Sequence, residues 1–146
     1  MKSARRGFTL IEVLIVIIVL GILAAIVVPQ FSDASTDAKL NSLKTNLQVI
    51  RGQIELYKIQ HNETLPQAPG TDTFTNQMIK ASKVDGTTAA IGTAGYNLGP
   101  YLQSIPNNPY TGTSTVGSGG VGTSAWYYDP ATGLFRANHH ADYLSY

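Results

Sequence analysis

The chain contains no cysteine, so no disulfide, thiolate metal site or cysteine nucleophile contributes to it. Charge is scarce too: Asp, Glu, Lys and Arg make up 13% of 146 residues and nearly cancel at +1. Setting aside Lys2, Arg5 and Arg6 at the head leaves seven basic against nine acidic side chains, a mildly acidic remainder without a basic face for nucleic acid. There is no phosphate loop ending in lysine, and no serine, histidine and acid fall in an arrangement that assigns catalysis. A nucleic-acid binder, a nucleotide hydrolase and a triad enzyme are therefore disfavoured, and the chain reads as a non-enzyme with room for one domain.

What the chain does have is one long apolar run. Phe8–Val28, at about 1.5 Å per helical residue, reaches the roughly 30 Å of a bilayer's hydrocarbon core. Glu12 is its only charge. Phe, Leu, Ile and Val each favour insertion by about 0.3 to 0.6 kcal/mol, and sixteen of them outweigh the roughly 3 kcal/mol cost of one carboxylate. The basic residues ahead of the span place the N-terminus in the cytoplasm and everything after Pro29 outside it. A secretory signal has a shorter apolar region, of about 7–15 residues. A plain anchor has no use for Glu12, since an ionisable group inside a membrane marks function by default.

Arg6-Gly7-Phe8-Thr9-Leu10-Ile11-Glu12-Val13 resembles the processing motif of type IV prepilins and of the pseudopilins of type II secretion systems. The resemblance implies cleavage between Gly7 and Phe8 by a prepilin peptidase, then methylation of the new Phe8 amine. Glu12 lies one helical turn from that amine. A buried carboxylate and ammonium together cost far less than either alone, so the resemblance implies that Glu12 of one subunit neutralises Phe8 of a neighbour. Gly21 and Pro29 are the helix-weakening positions, and a bend is expected near them. Many type IV pilins close their C-terminal region with a disulfide, so the missing cysteine leans toward the pseudopilin branch.

Beyond Pro29 the helix is expected to continue. Leu40, Leu43, Leu47, Ile50, Ile54 and Tyr57 step by threes and fours into one apolar stripe, with Asp33, Asp37, Lys39, Lys44, Arg51, Glu55 and Lys58 on the other faces. Asn62 and Leu65-Pro66 end it near His61. Thr71-Asp72 is the expected cap of a short helix whose Phe74, Met78 and Ile79 face the core. Val84–Gly99 reads as an irregular connection, and Tyr101-Leu102 with Ile105–Gly112 as an apolar anchor and a turn. Ala125–Tyr128 and Leu134–Ala137 flank Asp129-Pro130-Ala131-Thr132-Gly133, a hairpin signal. A weaker strand near Ser114–Gly117 completes a small antiparallel sheet, with Trp126 in the core. The expected fold is α+β and pilin-like. Residues 1–7 form a leader, 8–28 the membrane and filament-core helix, and 29–146 the periplasmic domain, with a variable loop region at 66–112 and the hairpin at 125–137.

Other motifs carry less. Gly117-Ser118-Gly119-Gly120-Val121-Gly122 meets the dinucleotide pattern, with Asp142 twenty residues on, but leads toward a strand instead of opening a helix. His139-His140 with Asp142 suggests zinc only superficially, since neighbours on a strand point to opposite faces. Asn62-Glu63-Thr64 is a formal glycosylation sequon, weak by itself. Major pseudopilins commonly bind calcium in an aspartate-rich C-terminal loop, and calcium takes about six to eight oxygens. After Asn107 this chain offers only Asp129 and Asp142, with Asn107, Asn108 and Asn138 or carbonyls to supplement them, so no cofactor is expected and calcium stands as a weak candidate.

The leading reading is a structural subunit of a type II secretion pseudopilus, polymerised from the inner membrane. Its implied partners are other copies of itself, the membrane, the peptidase, an assembly platform and minor pseudopilins or pilins, with no direct nucleic-acid contact. The alternatives are a type IV pilin of a surface fibre and a membrane-anchored binding protein.

Overall fold

The computed structural model describes residues 7–68, 70 and 72–145, apart from the side chains of 28–33. The leader residues ahead of Gly7, and Thr71 of the expected cap, lie outside the described residues. The chain divides into two units, one ending at Ala38 and one starting at Lys39.

The first unit is helical. Helix α1, Leu10–Gln60, begins here, and its backbone stays helical through Gly21 and Pro29. Leu10–Val27 has a mean hydropathy of 3.3, with none of it buried. An apolar surface left wholly open on one subunit calls for lipid or other helices to cover it.

In the second unit the remainder of α1 carries the stripe as expected: Leu43, Leu47, Ile50, Ile54 and Tyr57 are buried and Leu40 is half-buried. The helix closes at His61, whose amide still reaches Tyr57 O (2.9 Å). The Glu63 amide then turns back to Lys58 O (2.9 Å) with Asn62 and Glu63 at positive φ, a left-handed stop.

Against the stripe lie α2 (Phe74–Ile79) and one of two small sheets. Phe74 and Met78 are buried and Ile79 packs on the core. The cap of α2 differs from expectation: Thr73 is the N-cap, its hydroxyl accepting from Asn76 N at 3.3 Å. Asp72 instead braces the segment, accepting from Thr73 N (2.7 Å), Asn76 Nδ2 (2.9 Å) and the Thr88 hydroxyl. The Val84–Gly99 connection read as irregular carries the turn and second strand of a small hairpin, β1 (Ala81–Ser82) with β2 (Thr88–Ala89). Asp85-Gly86 turns it, with Gly86 at φ 83° and Asp85 Oδ1 accepting from Thr87 N. Asp-Gly is a strong hairpin signal that the short flanking strands obscured.

The second sheet runs β3 (Val116–Gly117), β4 (Trp126–Tyr128), β5 (Phe135–Ala137). β4 and β5 form the expected antiparallel hairpin, pairing Trp126 with Ala137 and Tyr128 with Phe135, all buried, while Tyr127 and Arg136 stand on the outer face. Gly133, at φ 76°, and the Gly133 N to Asp129 O bond (2.8 Å) close its turn. β3 pairs with β4 in parallel, not antiparallel as expected. A tight turn would reverse the chain, whereas Ser118–Ala125 makes a wide loop. Buried Asn138 pins that loop: its Nδ2 donates to Gly120 O and Ser124 Oγ (both 3.0 Å), and its backbone carbonyl accepts from the Gly122 amide.

Candidate functional site

The residues singled out at the head of the chain meet at the start of α1. Phe8 is 82% exposed, and a side chain at Gly7 would touch nothing within 4 Å, so neither is dictated by packing within the subunit. Thr9 sits just ahead of the first helical residue, and its hydroxyl accepts from Glu12 N at 3.3 Å. Glu12 answers: Oε2 accepts from Thr9 N (2.8 Å) and from the Thr9 hydroxyl (2.7 Å). This reciprocal arrangement is a capping box, a Thr-x-x-Glu spacing present in the sequence as Thr9-Leu10-Ile11-Glu12.

The geometry gives Glu12 a capping function and leaves it capacity for a further contact. It satisfies helix-start donors that hydrocarbon would leave unpaired. Both Thr9 donors go to Oε2, so among the described residues Oε1 stays available for a further donor, and an ionised carboxylate accepts about four hydrogen bonds. A terminal ammonium of a neighbouring chain is a donor of the right charge. Gly21 and Pro29 lie far along the helix from this cluster and take no part in it.

The calcium candidates are not brought together as a cation site. Asp129 is spent on its turn: Oδ1 accepts from Ala131 N (3.0 Å) and Oδ2 from the Thr132 hydroxyl (2.7 Å). These bonds, the Thr132 hydroxyl foremost, hold its carboxyl below the usual range. Asp142 lies in a 3-10 turn, Ala141–Tyr143, beside His140 at 3.2 Å. Among the described residues no three His, Cys, Asp or Glu gather as a metal cluster.

His139 and His140 do not lie on a strand, because β5 ends at Ala137. His139 stacks on Tyr110 (ring centroids 4.7 Å) and packs on Tyr143 (4.5 Å). Asn108 fixes its tautomer. Its Oδ1 accepts from Tyr110 N and its Nδ2 donates to Ala125 O (both 2.9 Å), so Nδ2 is also the donor toward His139 Nδ1 at 3.1 Å. Nδ1 is therefore unprotonated. Burial, then the neighbouring His140, lowers the His139 pKa.

His61 is the second buried imidazole. It stacks on Tyr57 at 3.6 Å, donates from Nδ1 to Tyr57 O (2.8 Å), and its Nε2 accepts from the Ser82 hydroxyl (3.1 Å). Burial outweighs these bonds and lowers its pKa. A serine–histidine pair invites a nucleophile reading, but Ser82 is fully buried and closed to a substrate, so the pair is structural.

Residues 2–28 match the family model described as the prokaryotic N-terminal methylation motif. The chain is 34% identical over 109 residues to type II secretion system core protein G of Pseudomonas aeruginosa, across 75% of this chain and 70% of that protein. It is 29% identical over the same shares to core protein G of Aeromonas hydrophila. It is also 32% identical over 121 residues to the type IV major fimbrial protein FimA of Dichelobacter nodosus, across 77% and 74%. No solved structure matches it. An exposed apolar helix opening on Thr9 and Glu12, followed by a helix-backed small sheet, is the design of a filament subunit. The chain belongs to the type IV prepilin-like family, with relatives among the type II secretion core G proteins.

Proposed function

We propose that this chain is a structural subunit of a type II secretion pseudopilus. It is cut between Gly7 and Phe8, methylated at Phe8, held in the inner membrane by Phe8–Val28 with its N-terminus cytoplasmic and its domain periplasmic, and polymerised from there. The supporting observation is the Thr9–Glu12 cluster at the mouth of a helix whose apolar stretch Leu10–Val27 has no buried residue, in a chain similar over three-quarters of its length to core protein G. Oε1 of Glu12 receives the Phe8 amine of the neighbouring subunit, and the helix bends near Gly21 and Pro29 as subunits pack. The work of the molecule is mechanical, its polymer driving secretion, and the peptidase, an assembly platform and minor pseudopilins act on it.

Mass spectrometry of the membrane-extracted protein tests the processing. A mature chain beginning at N-methyl-Phe8 is expected, and an intact Met1 or a cut after Ala25 or Ala34 overturns it. Similarity to FimA over 121 residues favours a second reading, a surface type IV pilus. Imaging of wild-type cells separates a short periplasmic filament from a long surface fibre.

A further inference from the structure

We infer that three rings, Tyr110, His139 and Tyr143, oriented by Asn108, clamp the C-terminal segment 139–145 onto the domain without a metal, in the loop where the resemblance to major pseudopilins implies calcium. The clamp goes beyond the filament reading and does not depend on it. The oxygens that are candidates for calcium do not fit the ion. Both Asp129 oxygens are held by their turn, and the Asp142 side chain, 80% exposed, leans on His140 at 3.2 Å. Asn108 is spent as well: Oδ1 accepts from Tyr110 N (2.9 Å), and its carbonyl accepts from Thr111 N (3.2 Å) and Gly112 N (2.8 Å). The Asn107 carbonyl accepts from Asn46 Nδ2 on α1 (3.2 Å). Asn138 Oδ1 is buried and has no hydrogen-bond partner among the described residues, but it is a single neutral oxygen. Calcium takes about six to eight, with carboxylates among them.

Rings do the fastening instead. The Asn138 amide still reaches Ala125 O (3.1 Å), but beyond it the backbone bonds close within the segment, Tyr143 N to His140 O (3.2 Å) and Leu144 N to Ala141 O (3.3 Å). A turn closed on itself needs side chains to seat it. This one brings Tyr143 back onto His139, four residues earlier, with centroids 4.5 Å apart, and Tyr110 meets both rings, at 4.7 Å from His139 and 4.8 Å from Tyr143. These separations lie in the range, about 4.5–7 Å, in which aromatic rings attract. Tyr110 and Tyr143 also pack on the hydrophobic core, so the segment is tied to the body of the domain through them.

Asn108 orients the clamp. It is fully buried and shares Ala125 O with the Asn138 amide, which fixes its Nδ2 where that atom meets His139 Nδ1 at 3.1 Å. The His139 ring then lies within 10° of parallel to Tyr110. Burial favours the neutral imidazole, so the stack holds no charge that calls for a counter-ion.

Hydrogen exchange of the full-length, detergent-solubilised chain tests the clamp, read at the Asp142, Tyr143 and Leu144 amides in excess EDTA and in millimolar calcium. Wild type is expected to protect them equally in both, within about twofold. His139→Ala should speed their exchange about tenfold or more in both conditions, with Trp126–Tyr128 as slow as in wild type, and His139→Phe, which keeps a ring, should restore protection. Release of the wild-type segment by EDTA, renewed protection of His139→Ala by calcium, or a segment unmoved in His139→Ala overturns the inference. Where His139→Ala also loosens Trp126–Tyr128, Tyr143→Ala is read by the same criteria. Loosening of that strand by both variants overturns the inference too, because the rings then belong to the core and not to a separate clamp. A chain that forms no filament leaves the clamp standing, so the two readings fail separately.

Discussion

Replacing Glu12 by glutamine separates the capping that the structure shows for that side chain from the charge pairing proposed for it. Glutamine retains an amide oxygen able to accept from Thr9 N, and the capping box tolerates either residue, so the helix start is preserved. The negative charge is lost. Loss of an N-cap costs about 0.5–2 kcal/mol. Removing one member of a buried ion pair costs about 3–5 kcal/mol, because the other charge is left unpaired in a low-dielectric setting. At about 1.4 kcal/mol per factor of ten, Glu12→Gln should weaken each subunit contact by about two orders of magnitude or more. Thr9→Val, which loses the capping hydroxyl but keeps the backbone amide and the carboxylate, should cost about 0.5–2 kcal/mol, less than the loss of the charge. The assay is sheared-filament yield by immunoblot, normalised to membrane-inserted subunits whose methylated Phe8 is verified by mass spectrometry. Wild-type yield from Glu12→Gln would show that capping, not charge neutralisation, is what Glu12 contributes, and the pairing with a neighbour's amine would have to be abandoned.

Trp126 is fully buried and its Nε1 donates to Pro106 O at 2.9 Å, so Trp126→Ala should lower stability by about 3–5 kcal/mol in urea unfolding of the detergent-solubilised chain; a loss under 1 kcal/mol would contradict its place in the core. Burial lowers the folded-state pKa of both His61 and His139 below the ordinary 6.5, so the unfolded chain binds more protons in that range. The stability these imidazoles contribute is complete above 6.5 and is lost as pH falls toward their lowered values; the melting temperature should drop between about pH 7.5 and pH 5, and the drop should shrink in a His61→Phe, His139→Phe double variant. An undiminished drop in that variant would place the acid sensitivity elsewhere. Because both Asp129 oxygens are engaged in the hairpin turn, millimolar calcium or a chelator should leave the melting temperature unchanged, and a rise of several degrees with calcium would restore the C-terminal loop as a cation site.

Features written in local pattern were legible without the fold. The span follows from an apolar run long enough to cross lipid, and the α1 stripe from a period of three and four. The β4–β5 hairpin follows from Asp-Pro-Ala-Thr-Gly between aromatic runs. The Thr9–Glu12 pair was equally local, a spacing of three that could have been read beforehand. Tertiary structure decided what depends on residues distant in the chain. Whether β3 runs parallel to β4 turns on Asn138 gripping a loop eighteen residues back, at Gly120. His139 is held by Asn108, thirty-one residues away, and His61 by Ser82, twenty-one away, so neither tautomer nor burial shows in neighbouring residues.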